Sequence, residues 1–269
     1  MSVFAEFYKD VDMGAPGESF TLDNNWRYRW ISFGGTLNNE ITSLRATAFE
    51  GGAGNVYGFT DKGYLGNYAS LNLTPEMVAW YGHVGGALND DIESALMVNR
   101  NPRGEVAIDL GAQIGPAFAA QFDAAAAGTQ VSRTAEPRVF TLFWPGHDPG
   151  EIFVSIEQDL NVALDWWPDY AAQVRYDVKV YRTADGHLDA YVAWVYTWVE
   201  GGLFTGKIAD ELKPRMVAAA ATLTGALRDK LAAFAAIKVA DAYLLPGPPA
   251  KEYAEIRNAR DGSTLVLVW

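Results

Sequence analysis

The chain contains no cysteine in 269 residues, so disulfides, thiolate nucleophiles and Cys-ligated metals are excluded. Histidine is almost as scarce, with three residues, His83, His147 and His187. His147, Asp148 and Glu151 resemble an acid–base or metal cluster by residue type. His147 and Asp148 lie between two Pro-Gly pairs with no second His at ligand spacing, however, and read as a turn. No Gly-x-Ser-x-Gly elbow, phosphate loop or dinucleotide fingerprint is present. No catalytic residue is therefore nominated, and a binding or structural role is favoured over an enzymatic one. Basic residues are outnumbered, 21 Lys and Arg against 33 Asp and Glu, for a net charge of −12. That excludes a nucleic-acid binder, which needs clustered cations to meet phosphates. No apolar run is long enough to span a membrane. The nearest, 215–236, is interrupted by Arg215, Arg228, Asp229 and Lys230. The start, Met1-Ser2-Val3-Phe4-Ala5, lacks a basic region and an apolar core, so a cytoplasmic protein is expected.

What the chain does have is a core's worth of apolar residues, 49% hydrophobic and 13% aromatic, in a length that suits one large or two ordinary domains. It also has a repeat. Asn38-Asn39-Glu40-Ile41-Thr42-Ser43 is echoed by Asn89-Asp90-Asp91-Ile92-Glu93-Ser94. Each copy follows a Gly-Gly-x-Leu run and precedes an apolar stretch, which marks an internal duplication. The side chains and carbonyls of such a segment are the oxygen donors that a hard cation such as calcium takes, six to eight at a time. Asn, Asp, Ser and Thr are also what ordinary loops are made of. One copy would be read that way; a second in matching context favours an ion-binding loop.

The pair resembles the Asn/Asp-Asn/Asp-x-x-Ser/Thr-Ser signature of microbial βγ-crystallin domains, carried once by each of two Greek-key motifs. A second family feature is an aromatic followed seven positions later by Gly, met by Phe7 and Gly14. The second motif is aligned on Phe49-Glu50-Gly51-Gly52, where Val56 replaces that Gly. The resemblance covers roughly residues 2–100. It implies an all-β double Greek-key sandwich binding calcium between the motifs. The first site would use the Glu40 carbonyl, the Thr42 hydroxyl, the Asp90 side chain and a carbonyl near Glu50. The second would use the Asp91 carbonyl, the Asn39 side chain and a carbonyl near Tyr8, with Glu93 at the hydroxyl position. That Glu departs from the pattern.

Read along the chain, 4–9, 18–22, 30–33, 41–47, 55–60, 70–73 and 94–98 look like short strands separated by turns. Thr74-Pro75-Glu76 predicts a short helix over 74–80, with Thr as cap and Pro at the first helical position. Residues 99–104 read as a linker, giving a βγ-crystallin-like domain over 1–100 and an α+β domain over 101–269. In the latter, Ile114, Phe118 and Phe122 predict a helix over 112–127. Strands follow at 139–144, 151–158 and 172–181. A hairpin at Asp185-Gly186 leads into 188–199. A long helix opens at 208–212, is restarted at Pro214 and buries Leu223, Leu227, Leu231 and Phe234. A final hairpin is expected to join 253–258 to 264–269. Two carboxylates beside two indoles in Asp165-Trp166-Trp167-Pro168-Asp169 suggest carbohydrate handling, though a buried Trp pair at a sheet edge is the plainer reading. Calcium is thus the expected partner. A lectin-like or membrane-active protein, with carbohydrate or a protein as partner, and an enzyme sited in the second domain are the alternatives.

Overall fold

Burial alternates along the first strand: Val3, Ala5 and Phe7 are buried and the residues between them are not, as in a sheet with one inward face. A computed structural model of the chain describes residues 2–14, 17–23, 28–62, 65–75, 78–81, 84, 88, 90–100, 105–141, 152–164, 167–201, 205–234, 241–246, 254–258 and 262–268. The strands are β1 (Ser2–Tyr8), β2 (Gly17–Leu22), β3 (Tyr28–Ser32), β4 (Ser43–Phe49), β5 (Ala53–Asp61), β6 (Leu65–Leu73), β7 (Val78–Tyr81) and β8 (Ser94–Arg100). After β9 (Glu105–Asp109) and helix α1 (Leu110–Ala126) come β10 (Val131–Arg133), β11 (Arg138–Thr141), β12 (Ile152–Leu164), β13 (Trp167–Arg182) and β14 (Leu188–Val199). Helix α2 (Thr205–Ala232), β15 (Asp241–Pro246), β16 (Ala254–Asn258) and β17 (Ser263–Val268) complete the order. Among the described residues the paired strands run antiparallel.

Two units result. The first is Met1–Val106 with Phe143–Pro149 and Pro249–Arg260; the second is Ala107–Leu142 with Gly150–Pro248 and Asp261–Trp269. The first holds two sheets, ordered β2-β1-β4-β7 and β16-β6-β5-β8-β3. β3 therefore joins the sheet made by the second half of the unit, and β7 joins the sheet made by the first. Phe7, Phe20 and Phe33 meet edge to face, with centroids 4.9–6.0 Å apart, the favoured geometry for aromatic rings. Leu37, Ile41, Leu44, Leu88 and Ile92 extend the same core.

Three expectations need correction here. Val78–Tyr81 is a strand, not part of a helix: it pairs with β4 through Leu44↔Tyr81 to Thr47↔Val78. The Thr-Pro-Glu capping signal was local, and the open edge of β4 outweighed it. Phe49 ends β4 in a tight turn, where the Gly52 amide donates to the Phe49 carbonyl. Phe59, in the hairpin of β5 and β6, precedes Gly66 by seven positions, the spacing of Phe7 and Gly14. Finally, β16 and β17 do not form a hairpin. β16 pairs with β6, and β17 sits between β15 and β9. The strand β16 also places residues beyond 100 in the first unit.

Gly66 shows why that hairpin needs glycine. Its φ is +74°, and a Cβ would run into Thr60 Oγ1 and lie 2.9 Å from Asp61 Cγ. Gly66→Ala should cost about 1–3 kcal/mol, read as a drop in urea midpoint. Gly51, at φ +71° with open space around it, carries the backbone strain alone. Gly51→Ala should therefore cost less, and an equal loss would mean that the contact with Thr60 and Asp61 contributes nothing.

In the second unit the main sheet runs β10-β12-β13-β14, with β11 also paired to β12. Val174, Tyr176, Val178 and Val180 form the buried face of β13. Phe118 of α1 meets Tyr176 edge-on at 5.4 Å, and the Tyr176 hydroxyl donates to the Met216 carbonyl of α2 at 3.2 Å. Leu223, Leu227 and Leu231 are buried as expected, and α2 runs through Pro214 as a single helix. Asp109 caps α1 by accepting from the Ala112 amide at 3.1 Å, the usual side-chain service to an unpaired helix amide. Thr141 Oγ1 lies 2.7 Å from Ser263 Oγ and donates to the Leu245 carbonyl at 3.3 Å, tying β11, β17 and β15 together. Among the described residues no helix is long and apolar enough to cross a membrane.

Candidate functional site

The two repeated segments face each other. Ile41 and Ile92, both fully buried, form an isolated antiparallel bridge. The second residue of one copy and its counterpart in the other, Asn39 and Asp90, have φ of 55° and 57°. Asn and Asp are the non-glycine residues that enter this left-handed region most readily, which is a backbone reason for their place in the repeat. One offset of 51 positions relates three pairs of contacts in the two copies. The Thr42 amide donates to the Tyr8 carbonyl at 2.9 Å, and the Glu93 amide to the Phe59 carbonyl at 2.8 Å. Ser43 Oγ donates to the Asp10 carbonyl and Ser94 Oγ to the Asp61 carbonyl, both at 2.7 Å. Crosswise, the Val84 amide donates to the Thr42 carbonyl at 2.8 Å and the Phe33 amide to the Glu93 carbonyl at 3.0 Å.

Across this junction Thr42 Oγ1 donates to Asp90 Oδ1 at 2.5 Å, and Thr42 is only 4% exposed. Glu40 takes an ion pair from Lys9 Nζ at 2.8 Å. That bond, with the charges of Glu40, Asp10 and Asp90, outweighs desolvation and holds the Lys9 amine above its ordinary range. Among the described residues, the buried Oδ1 of Asn38, which opens the first hexapeptide, has no hydrogen-bond partner. At the second copy the Glu93 carboxylate accepts from the Lys62 amide at 2.8 Å. Burial, then the charges of Glu93 and Asp61, pushes the Asp91 carboxyl up. Three carboxylates thus share that loop. Among the described residues no group of three or more His, Cys, Asp or Glu side chains is arranged as a metal cluster.

Of the nominated residues, Glu40, Thr42 and Asp90 are held together at one end of β4. Asn39, Asp91 and Glu93 lie in the two facing segments. Tyr8 sits beside Thr42, through its carbonyl, and not beside Glu93. Glu50 lies apart from these: it follows β4 at the end away from Ser43, about 23 Å along at 3.3 Å per residue. The hairpin carbonyls that meet the repeats are those of Tyr8 and Asp10, at Thr42 and Ser43, and of Phe59 and Asp61, at Glu93 and Ser94. Asp10, Asp61, Ser43 and Ser94 were not nominated, although the last Ser of each hexapeptide sits at identical spacing. His147, Asp148, Glu151, Asp165 and Trp166 lie outside the described residues, and Asp169 accepts from Asn161 Nδ2 at 2.8 Å. No known protein family, curated protein or solved structure matches the chain.

Proposed function

We propose that the first unit is a βγ-crystallin-type double Greek key that binds calcium where its two hexapeptides meet, in a protein whose role is binding and structural, not enzymatic. The observation that carries this reading is the Thr42–Asp90 contact at 2.5 Å, made between two copies of one signature. The exchanged strands β3 and β7 support the two-motif architecture. The donor chemistry fits a hard cation: a hydroxyl, a carboxylate and main-chain carbonyls, all oxygen. Asn38 Oδ1 adds a buried oxygen that has no donor among the described residues. Thr42, Asp90, the Glu40 carbonyl and the main chain of residues 8–10 would hold one ion. Asp91, Glu93, Asn39 and the main chain of 59–61 would hold the other. Calcium would supply positive charge to loops that are otherwise self-repelling, with Lys9 partly serving that role at the first.

A ligand that binds only the folded state adds about 2.7 kcal/mol at a hundredfold excess over Kd. Calcium should therefore raise the thermal midpoint of the whole chain and release or absorb heat on titration. The whole chain is the right sample, because a 1–100 fragment lacks β16. Thr42→Val keeps the buried shape, removes the hydroxyl and should abolish the better-formed site. Glu93→Ser, which restores the signature, should keep or strengthen the other. A wild-type chain that shows neither heat nor a midpoint shift at millimolar calcium sinks the proposal.

A further inference from the structure

The face of the second unit's main sheet opposite Val174, Tyr176 and Val178 carries polar and aromatic side chains. On it Ser155, Glu157 and Asp159 of β12 lie opposite Asp177, Arg175 and Gln173 of β13. Those in turn lie opposite Trp194, Tyr196 and Trp198 of β14. Trp194 and Trp198 are 42% and 43% exposed, and together on one face they offer apolar surface to a ligand. Trp198 is held rigidly: its ring stacks on Tyr196 at 5.8 Å and 16°. The Arg175 guanidinium lies 4.6 Å from the Tyr196 centroid and 5.3 Å from that of Trp198.

Beside this fixed ring is a cleft of about 450 Å³ lined by Arg138, Asp159, Asn161, Gln173, Trp198 and Glu200, among others. That size lies within the range of small-ligand sites. Its polar groups are planar and locked to one another. Arg138 forks onto Asp159 with Nη1 at 2.8 Å and Nη2 at 2.9 Å, and Nη2 also reaches Glu157 Oε1 at 2.7 Å. Gln173 Nε2 donates to Asp159 Oδ1 at 2.8 Å.

From this geometry we infer that the cleft at Trp198 is a binding site for a neutral oligosaccharide. A pyranose ring has one face of C–H groups, which packs on an exposed aromatic, and a rim of paired hydroxyls, which suits planar amide, guanidinium and carboxylate groups. Here both halves of that recognition are present and already rigid, so little ordering entropy is lost on binding. The cations of the cleft are engaged by carboxylates of the chain itself, and the chain's charge is −12. An acidic glycan or an anionic lipid headgroup would meet repulsion. Trp194, on the same face, is about 13 Å from Trp198 at 3.3 Å per residue, so a chain of several linked sugars can reach both. This inference concerns the second unit and is independent of the calcium reading.

The test is a titration of tryptophan fluorescence in the full chain with cellohexaose, laminarihexaose and chitohexaose, alongside vesicles of phosphatidylserine. At least one oligosaccharide should change the emission. Trp198→Ala should weaken that binding about tenfold or more, which is 1.4 kcal/mol, and Trp80→Ala, an exposed indole of the first unit, should not. Should Trp198→Ala fail to fold, Asn161→Ala at the rim serves instead and should also weaken binding. No response to any of the three sugars, a response that neither variant reduces, or binding to the vesicles alone overturns the inference.

Discussion

A chain ended after Arg260 is expected to lose its second unit and keep its first. The missing strand, β17, is buried along its whole length, with Leu265, Val266 and Leu267 fully inaccessible and Val268 nearly so. Each such side chain contributes about 1.5–3 kcal/mol by burial, roughly 6–12 kcal/mol for the four. That is comparable with the entire stability of a typical domain, about 5–15 kcal/mol. The truncation also strands Thr141 without Ser263 and leaves β15 and β9 with no common partner. Residues up to 260 retain β16, so the two sheets of the first unit stay complete. Limited proteolysis should digest the region 107–248 and spare the first unit. A truncated chain with undiminished circular dichroism and an unchanged protease pattern would contradict this.

Arg175→Met should be nearly as damaging, and its cost should depend on pH. Asp177 is fully buried and Glu157 almost so. Arg175 Nε lies 3.0 Å from Asp177 Oδ1, although its N–H is not aligned as a hydrogen bond. The aligned donor is Ser155 Oγ at 2.7 Å. Burial pushes the Asp177 carboxyl up, the Ser155 bond and Arg175 oppose it, and the Glu157 charge adds to it. Removing one member of a buried charge network typically costs 3–5 kcal/mol, or about that much here near neutral pH. The folded-state value lies above the unfolded one and moves higher without Arg175. Ionisation therefore opposes folding above the folded value, and that penalty is relieved as the carboxyl protonates on acidification. The gap between wild type and variant should narrow from about pH 7 towards pH 4, the ordinary carboxylate range. Stability as a whole should move the other way. Asp123, Asp159 and Asp189 are held low by Arg133, by Gln173 and Arg138 against burial, and by Arg228, so their contribution is lost on acidification. Urea midpoints across that range separate the two trends. A gap that stays constant with pH would assign the loss to packing under Tyr196 and Trp198, not to charge.

Much of the strand plan was legible because it is local. β1, β2, β5 and β14 follow alternation or turn residues within their own few positions, and Gly186, at φ +87°, sits in the turn that Asp185-Gly186 announced. What was not legible depends on a distant partner. β7 has four residues and no signal beyond the edge of β4 that it completes. The short connection between 253–258 and 264–269 suggests a hairpin, yet β16 and β17 belong to different sheets. The candidate ion site was half legible. Thr42 and Asp90 followed from the repeat itself, whereas the hairpin oxygens depended on choosing between Phe49 and Phe59, ten positions apart. The Trp198 cleft could not be read at all, since Arg138, Asp159, Gln173 and Trp198 come from four strands and meet only through pairing.

The pairing of β16 with β6 also sets a timetable. Asn258 donates to Asn67 at 3.1 Å across 191 positions of sequence. At a synthesis rate of about 5–20 residues per second, β6 leaves the ribosome roughly ten to forty seconds before its neighbour exists. During that interval the strand offers unsatisfied amides and carbonyls to any other chain that passes, the usual opening for misassembly. The long loop that must close also makes this pairing a slow step of folding. Soluble yield should thus be governed less by how stable the finished protein is than by how well that waiting edge is shielded while the remainder is made.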